Sequence, residues 1–106
     1  ELPIGAHRFE GLLPPVVSGP AFAIRRRASQ VIPLTAYLHD RIMTEPQARM
    51  IRNAVTSRMN IVISGGTGSG KTTLTNAVIA EMVASAPDHR IVILEDTAEL
   101  QCVADN

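Results

Sequence analysis

Apolar and polar positions in the first third of the chain predict two short strands. Residues 21–27 (AFAIRRR) alternate in polarity, so Phe22 and Ile24 fall on one face of an extended chain. Residues 7–13 (HRFEGLL) are mixed in polarity and equally short. Because the intervening PPVVSGP is rich in turn-forming residues, we expect the two strands to be antiparallel neighbours.

Apolar residues at helical spacing then predict three helices. The first covers residues 35–43 and the second residues 45–57, with Thr44 and Gln47 forming a capping box at its start. The third covers about residues 71–84. The positions predicted to be buried are Leu34, Leu38, Ile42, Met43, Ala48, Met50, Ile51, Ala54, Val55, Met59, Leu74, Val78 and Met82.

Two compact apolar runs flank the third helix. NIVIS at residues 60–64 precedes a glycine-rich segment, and RIVIL at residues 90–94 follows the turn after the helix. Runs of β-branched residues are typical of strands buried on both faces, as in a parallel sheet. Strand, loop, helix, turn and strand in this order predict a right-handed βαβ unit and therefore an α/β fold with a parallel sheet.

The composition excludes several functions. Lys+Arg and Asp+Glu each number 10, so the formal net charge is zero, and only 3% of residues are aromatic. A stand-alone nucleic-acid binder usually has a basic excess or aromatic stacking platforms, so no direct nucleic-acid binding is expected from this segment. The single cysteine, Cys102, excludes an internal disulfide framework. No apolar run approaches the roughly 20 residues that span a bilayer.

The charges are nevertheless segregated along the chain. Residues 1–60 carry eight arginines against four acids, whereas residues 61–106 carry six acids against Lys71 and Arg90. A basic half and an acidic half can pack together or face each other across subunits. Chance in an arginine-rich chain explains the segregation equally well.

The most specific motif precedes the third helix. GGTGSGKT at residues 65–72, the Gly-rich loop, fits the Walker A pattern G-x-x-x-x-G-K-[ST] in its strand-to-helix context. Glycine permits the positive φ and the close approach by which backbone N–H groups wrap a phosphate chain, and the helix offers its positive N-terminal end. Lys71 is expected to reach the β- and γ-phosphates, and the Thr72 hydroxyl to bind Mg²⁺. The predicted nucleotide-binding residues are Gly66, Thr67, Gly68, Ser69, Gly70, Lys71, Thr72 and Thr73.

Acidic residues follow the second apolar run. Glu95 and Asp96 come directly after it, and Glu99 comes three residues later. The carboxyl ends of parallel strands share one sheet edge with the Gly-rich loop, so these side chains are expected near bound phosphates and metal. An NTPase of this kind needs a carboxylate near Mg²⁺ and a group that orients the attacking water. Taken alone, four apolar residues followed by Glu and Asp fit a Walker B motif.

The two motifs together resemble those of the secretion and conjugation traffic ATPases. The resemblance rests on GGTGSGKTT at 65–73, ILEDTAEL at 93–100, LPPVV at 13–17 and IRR at 24–26, and it spans nearly the whole chain. The first two segments are highly specific to this superfamily, and the other two are weaker alone. Within it, the chain is similar to conjugative-transfer ATPases of the TrbB type in the type IV secretion ATPase family.

This resemblance changes the interpretation of the acids. It identifies Glu95, Asp96 and Glu99 as an aspartate box rather than a Walker B motif, with Asp96 as a candidate metal ligand. A glutamate of this box polarises the attacking water or aids metal binding in the family. The sequence leaves open whether Glu95 or Glu99 has that role.

The resemblance also implies a role for arginines. Members of the family have an N-terminal domain that lends arginines to the γ-phosphate, and Arg8 and Arg25 match those that flank the LPPVV segment. A guanidinium suits this role because its fork of N–H donors neutralises charge spread over phosphate oxygens. Arg26 and Arg27 are alternatives, and exposed strand arginines without a role are the plainer interpretation.

The architecture and cellular role follow from the same resemblance. Residues 1–32 would be the last strands of an N-terminal α+β domain with its linker, and residues 33–106 the truncated beginning of a RecA-like P-loop NTPase core. The full-length parent would be a hexameric, Mg²⁺-dependent ATPase that powers conjugative DNA transfer, type IV secretion or pilus assembly. It would act with other machinery components in the cytoplasm, at the periphery of the inner membrane. Such ATPases carry a Walker B motif and a histidine box further along, so this chain is expected to be a fragment with little turnover of its own.

Two other functions compete with this one. A small-molecule kinase would need an acceptor site and a lid after the second strand, and the ten residues after Asp96 are too few for either. A nucleotide-binding module without turnover would keep the Gly-rich loop and make Glu95 and Glu99 dispensable.

Overall fold

The computed structural model describes residues 2–4, 7–26, 30–96 and 98–103. The chain begins with a three-stranded antiparallel sheet in the order β1-β2-β3. Its strands are β1 (Leu2–Ile4), β2 (His7–Leu12) and β3 (Ala21–Arg26). The predicted antiparallel pair is confirmed, while β1 was not predicted because three residues are too few to show a period.

The strand register sorts the side chains of β2 and β3 onto two faces. Arg8 lies opposite Arg25, and Phe9 lies opposite Ile24. Directly opposed residues share a face, so the two arginines stand on one side of the sheet and the apolar residues on the other. The rings of Phe9 and Phe22 stack on that apolar face, with centroids 6.0 Å apart.

Helix α1 (Leu34–His39) is shorter than the predicted span of residues 35–43. It ends because Arg41 adopts a left-handed φ of 56°, and the N–H groups of Arg41 and Ile42 donate back to the carbonyls of Leu38 and Tyr37. This is the Schellman arrangement, which usually has glycine at the left-handed position. Ile42 is 70% exposed as a result, so its prediction as a buried residue was wrong. Burial raises the pKa of the Tyr37 phenol above its usual value.

Helix α2 (Glu45–Thr56) confirms the second predicted helix. The capping box at its start is formed, since the Thr44 N–H donates to Oε1 of Gln47 at 2.8 Å. The end of α2 repeats the end of α1: Arg58 takes a φ of 54°, and the Met59 N–H donates to the carbonyl of Ala54.

Helix α3 (Lys71–Ser85) confirms the third predicted helix and packs against both others. Among the described residues, the buried apolar ones are Leu34 of α1, Ala48 of α2, and Ala77, Val78 and Ile79 of α3. An ion pair between Arg52 Nε and Glu81 Oε2, at 3.5 Å, adds a polar link between α2 and α3. The core therefore lies where the three helices meet. No helix of the described residues is both long and apolar enough to cross a membrane.

The predicted parallel βαβ unit is not formed among the described residues. Neither apolar run, at residues 60–64 or 90–94, joins a sheet. Val62 is 89% exposed and Leu94 is 93% exposed, so the prediction of two buried strands was wrong for this structure. Apolar runs identify segments that gain from burial, but they do not identify the strand that pairs with them. Met50, Met59 and Met82, predicted in the core, are also exposed.

Candidate functional site

The Gly-rich loop turns sharply before α3. The Ser69 N–H and Ser69 hydroxyl both donate to the carbonyl of Gly66, at 3.4 and 2.8 Å. Gly68 and Gly70 have positive φ angles of 73° and 87°. The left-handed region is expensive for residues with a Cβ atom, so the loop requires glycine at these two positions.

Replacing Gly70 with alanine is expected to lower the free energy of unfolding by about 1–2 kcal/mol, the strain of a left-handed residue with a side chain. Space is not the cause, because a Cβ atom at Gly70 would meet nothing within 4 Å. Gly66→Ala is the matched control, since Gly66 also has free space and lacks a positive φ. Urea unfolding of both variants provides the measurement, and equal losses of stability would contradict this account.

Three glycines of the loop have free space beside their Cα atoms. Cβ atoms built on Gly66, Gly68 or Gly70 would contact no heavy atom within 4 Å. At Gly65, by contrast, a Cβ atom would lie 2.6 Å from the Ser69 hydroxyl oxygen. No side chain of the described residues caps the start of α3, so its first N–H groups can donate to an anion.

Lys71 lies directly over this loop. Its Nζ donates to the carbonyl oxygen of Gly65 at 2.8 Å and also to that of Gly66. The carbonyls hold the ammonium on the loop side of α3, within the turn that Ser69 closes. A phosphate group seated in the loop would compete with these neutral carbonyls for a full positive charge.

Three predicted site residues from distant parts of the chain meet beside the loop. Thr72 Oγ1 donates to Glu99 Oε2 at 3.1 Å, and Arg25 Nη1 lies 3.5 Å from Glu99 Oε1. The two oxygens of one carboxylate thus face α3 on one side and β3 on the other. The contact brings together the sheet, the start of α3 and the segment after residue 90.

Glu95 makes different contacts from Glu99. Its Oε2 accepts from the backbone N–H groups of Glu99 and Leu100, each at 3.0 Å. Glu95 therefore holds the backbone that carries Glu99, while the Glu99 carboxylate faces Thr72. Asp96 is exposed and makes no hydrogen bond or ion pair with any described residue.

The candidate arginines divide between the two faces of the sheet. Arg8 and Arg25 share the face from which Arg25 reaches Glu99. Arg26 lies opposite His7 on the other face, with the stacked aromatic rings. Arg27 lies outside the described residues.

Asn76 is a polar residue that sequence reasoning did not single out. It is only 2% exposed, and its Oδ1 accepts the backbone N–H of Gln101 at 2.8 Å. Its position inside the otherwise apolar stretch NAVIA of α3 was the available signal. A buried amide at such a position needs a hydrogen-bond partner, and the segment after Glu99 provides one.

The donor set fits magnesium held together with phosphates. Among the residues that the structure describes, no cluster of three His, Cys, Asp or Glu side chains could hold a metal ion. Magnesium bound to a nucleotide needs only one or two protein ligands, because phosphate oxygens and water fill its other positions. The Thr72 hydroxyl gives its hydrogen to Glu99 and so keeps its oxygen lone pairs for a metal.

The basic and acidic halves of the chain pack together within one molecule. Two ion pairs join the halves, Arg25 with Glu99 and Arg52 with Glu81, each at 3.5 Å. Of the explanations for the charge segregation, the structure therefore supports packing within the chain. One of these contacts lies in the candidate site itself.

Comparison with known proteins agrees with the motifs. The family model for the type II/IV secretion system protein matches residues 8–106. The chain is 74% identical to the conjugal transfer protein TrbB of Rhizobium radiobacter and 70% identical to the probable conjugal transfer protein TrbB of Sinorhizobium fredii, over its full length and 33% of each relative. It is 50% identical to the type IV secretion system protein VirB11 of Bartonella henselae over 47% of this chain and 13% of that protein.

The chain thus spans about one third of the length of the conjugal transfer relatives. The matched residues include the Gly-rich loop, Arg25 and the acidic segment that contacts Thr72. The family resemblance stated from the motifs is confirmed: the chain belongs to the type II/IV secretion system protein family, among relatives of the TrbB conjugal transfer proteins.

Proposed function

We propose that the complete gene product is a Mg²⁺-dependent ATPase that powers conjugative DNA transfer or type IV secretion, as one subunit of a hexameric motor. The contact of Arg25, Glu99 and Thr72 beside the Gly-rich loop carries this proposal. It gathers a cation, a carboxylate and a hydroxyl at the place where the γ-phosphate and metal of a bound nucleotide would lie. The names of the relatives support conjugation or secretion as the process.

The protein would act with other components of the transfer machinery at the cytoplasmic periphery of the inner membrane. In this proposal, residues 1–32 belong to an N-terminal domain and residues 33–106 begin a RecA-like ATPase domain. Nucleotide binding between them would move the sheet relative to the helices, because Arg25 lies on the sheet and Thr72 on α3.

The Gly-rich loop would bind the phosphates. The N–H groups at the start of α3 would donate to phosphate oxygens. Lys71, which now donates to the carbonyls of Gly65 and Gly66, would donate to charged oxygens of the nucleotide instead. Thr72 would hold Mg²⁺, which neutralises phosphate charge when bound. Thr67 and Ser69 lie on the same loop. Thr73 lies in the first turn of α3, from which it would donate to the α-phosphate.

Arg25 would stabilise negative charge on the γ-phosphate. Its Nη1 lies 3.5 Å from the carboxylate that contacts Thr72, so a short side-chain movement would take it toward a bound metal and phosphate. Arg8, directly opposite on β2, adds positive charge on the same face. Arg26 faces away and has no such role.

Glu99 would be the acid nearest to the γ-phosphate and the metal, and Glu95 would hold the backbone that carries Glu99. Glu99 contacts the Thr72 hydroxyl, so it can hold a metal-bound water or orient the attacking one. Glu95 contacts backbone N–H groups instead, so it shapes the segment. Asp96, exposed after the same apolar run, remains a candidate for an outer water of the metal.

Glu99→Gln is expected to lower the kcat for ATP hydrolysis about 10- to 100-fold, the usual effect of losing an outer carboxylate at a metal site. Nucleotide binding should survive, with only a smaller gain from Mg²⁺, because the loop and Lys71 are unchanged. Glu95→Gln is the matched control. Its amide oxygen can still accept hydrogen bonds from both N–H groups. Exchanging a charged for a neutral acceptor weakens these hydrogen bonds by only about 1 kcal/mol, so kcat should fall by no more than about fivefold.

The measurement is ATP hydrolysis and nucleotide binding by the complete gene product carrying each variant. If Glu95→Gln abolishes hydrolysis and Glu99→Gln does not, the assignment of the two acids is reversed. Tight nucleotide binding without any hydrolysis by the unmodified protein would favour a binding module instead of an ATPase.

A further inference from the structure

We propose that Asn76 is a positioning residue for the nucleotide-bound metal, because it fixes the segment that presents Glu99 to Thr72. The inference rests on the proposed function, and it assigns to α3 a second contact with the acidic segment beyond the Gly-rich loop. Asn76 touches neither nucleotide nor metal in this proposal. It acts through the backbone of Gln101 and the carboxylate of Glu99.

The hydrogen bond of Asn76 is buried and therefore strongly favoured. The residue is 2% exposed, and its Oδ1 accepts the Gln101 N–H at 2.8 Å. If this bond broke while the segment stayed packed on α3, a buried amide oxygen would be left without a partner. The bond thus holds the segment of residues 98–103 against one face of α3.

The two hydrogen bonds between α3 and the facing segment, Thr72 to Glu99 and Gln101 to Asn76, have matching spacings on both sides. Thr72 and Asn76 are four residues apart on α3, which places them on one face with a rise of about 6 Å. Glu99 and Gln101 are two residues apart in a non-helical segment, which spans up to roughly 6.6 Å. One turn of helix therefore matches two residues of the facing segment. The Asn76 bond consequently sets the register in which Glu99 meets Thr72.

The backbone around Glu99 is held on both sides by side chains. Glu95 accepts the N–H groups of Glu99 and Leu100, and Asn76 accepts the next one, that of Gln101. Three consecutive N–H groups are thus bound by two side chains from different parts of the chain. This arrangement fixes the Glu99 carboxylate more firmly than its single hydrogen bond to Thr72 could.

A metal ion makes this positioning measurable. With the Thr72 hydrogen directed at Glu99, the lone pairs of Oγ1 remain available to Mg²⁺. A misplaced Glu99 would no longer orient the Thr72 hydroxyl and would weaken Mg²⁺ binding. It would leave the phosphate contacts of the Gly-rich loop intact. Asn76 should therefore affect nucleotide binding only when Mg²⁺ is present.

The experiment measures ADP affinity of the complete gene product by calorimetry, once with Mg²⁺ and once with EDTA. The variants are Asn76→Ala, Glu99→Gln and the double variant. Val78→Ala is the control, because Val78 is also buried in α3 but has no polar atom to hold the segment. Asn76→Asp keeps an accepting oxygen at the same position, and thermal unfolding of every variant reports on folding.

We expect Asn76→Ala to reduce the Mg²⁺-dependent gain in ADP affinity about threefold to tenfold, near the lower limit for outer partners of a metal ligand. Affinity in EDTA should remain unchanged. The double variant should lose no more than Glu99→Gln alone, since Asn76 acts through Glu99. Asn76→Asp should restore most of the gain, and Val78→Ala should lower thermal stability without changing the gain.

Other outcomes overturn the inference in distinct ways. Equal losses in Mg²⁺ and EDTA, or additive losses in the double variant, would mean that Asn76 only stabilises the fold. A loss in Asn76→Asp as large as in Asn76→Ala would also contradict it. Failure of the unmodified protein to bind ADP, with or without Mg²⁺, would overturn the proposed function itself and the inference with it.

Discussion

Replacing Arg25 with alanine is expected to slow ATP hydrolysis about 10³-fold, the lower limit of what an arginine at the γ-phosphate contributes. Arg25 is the cation that the structure places beside Glu99 and Thr72. Its loss removes positive charge where negative charge develops during phosphoryl transfer. Binding of ADP, which lacks the γ-phosphate, should change little. The measurement is kcat for ATP hydrolysis by the complete gene product, together with its affinity for ADP.

Arg26→Ala is the matched control for Arg25→Ala. It removes the same charge from the adjacent residue of β3, but from the opposite face of the sheet. Its hydrolysis rate should stay within about twofold of the unmodified protein, as for most surface substitutions. Equal losses in both variants would show that the net charge of the strand matters rather than the position of one guanidinium. A loss confined to Arg26→Ala would reverse the assignment of the two faces.

Lys71→Ala is expected to lower kcat for ATP hydrolysis about 10²- to 10³-fold, as does removal of one preorganised donor from the site where charge develops. It should also weaken ATP binding about tenfold to a hundredfold, from the roughly 1.5–3 kcal/mol of a charged hydrogen bond. The physical reason is that the Nζ of Lys71 lies over the carbonyls of the Gly-rich loop. Both quantities are measured on the complete gene product.

Another arginine-to-alanine change, Arg49→Ala, controls for the loss of charge at Lys71. Arg49 is exposed on α2, away from the Gly-rich loop, so replacing it with alanine removes one positive charge and leaves the loop unchanged. Arg49→Ala should bind and hydrolyse ATP normally. Unimpaired ATP binding by Lys71→Ala would contradict the assignment of the phosphates to the Gly-rich loop.

The sequence predicted α2 and α3 to within a residue or two because their signals are local. A capping box fixed the start of α2, and the glycine-to-lysine step fixed the start of α3. The end of α1 was missed since its stop signal is not a glycine. Arg41 adopts the left-handed conformation there, and an arginine in the sequence does not predict that conformation.

The local antiparallel pairing of strands was predicted correctly from the sequence, whereas the non-local parallel pairing was not. The alternation of β3 predicted an antiparallel neighbour a short turn away, and β2 is that neighbour. The runs at residues 60–64 and 90–94 signal burial equally clearly, yet they join no sheet among the described residues. Parallel pairing is non-local, so apolarity alone does not specify the partner or the order of strands.

For the candidate site, the sequence predicted the residue types but not their contacts. Glu95 and Glu99 were equivalent by motif, and only the fold shows that Glu99 reaches Thr72 while Glu95 holds backbone N–H groups. The choice between Arg25 and Arg26 depends on strand register, which a one-residue slip would reverse. Asn76 was overlooked because a lone amide in a helix has no motif.

The ion pair of Arg25 and Glu99 makes the contact between the sheet and the candidate site sensitive to ionic strength. The Arg25 side chain is 67% exposed and that of Glu99 is 30% exposed, so dissolved ions reach both charges. Screening weakens such a pair, with a Debye length of about 10 Å at 0.1 M salt. The buried bond between Asn76 and Gln101 is not screened in the same way. Rising salt therefore loosens the sheet from the helices while the acidic segment keeps its place on α3.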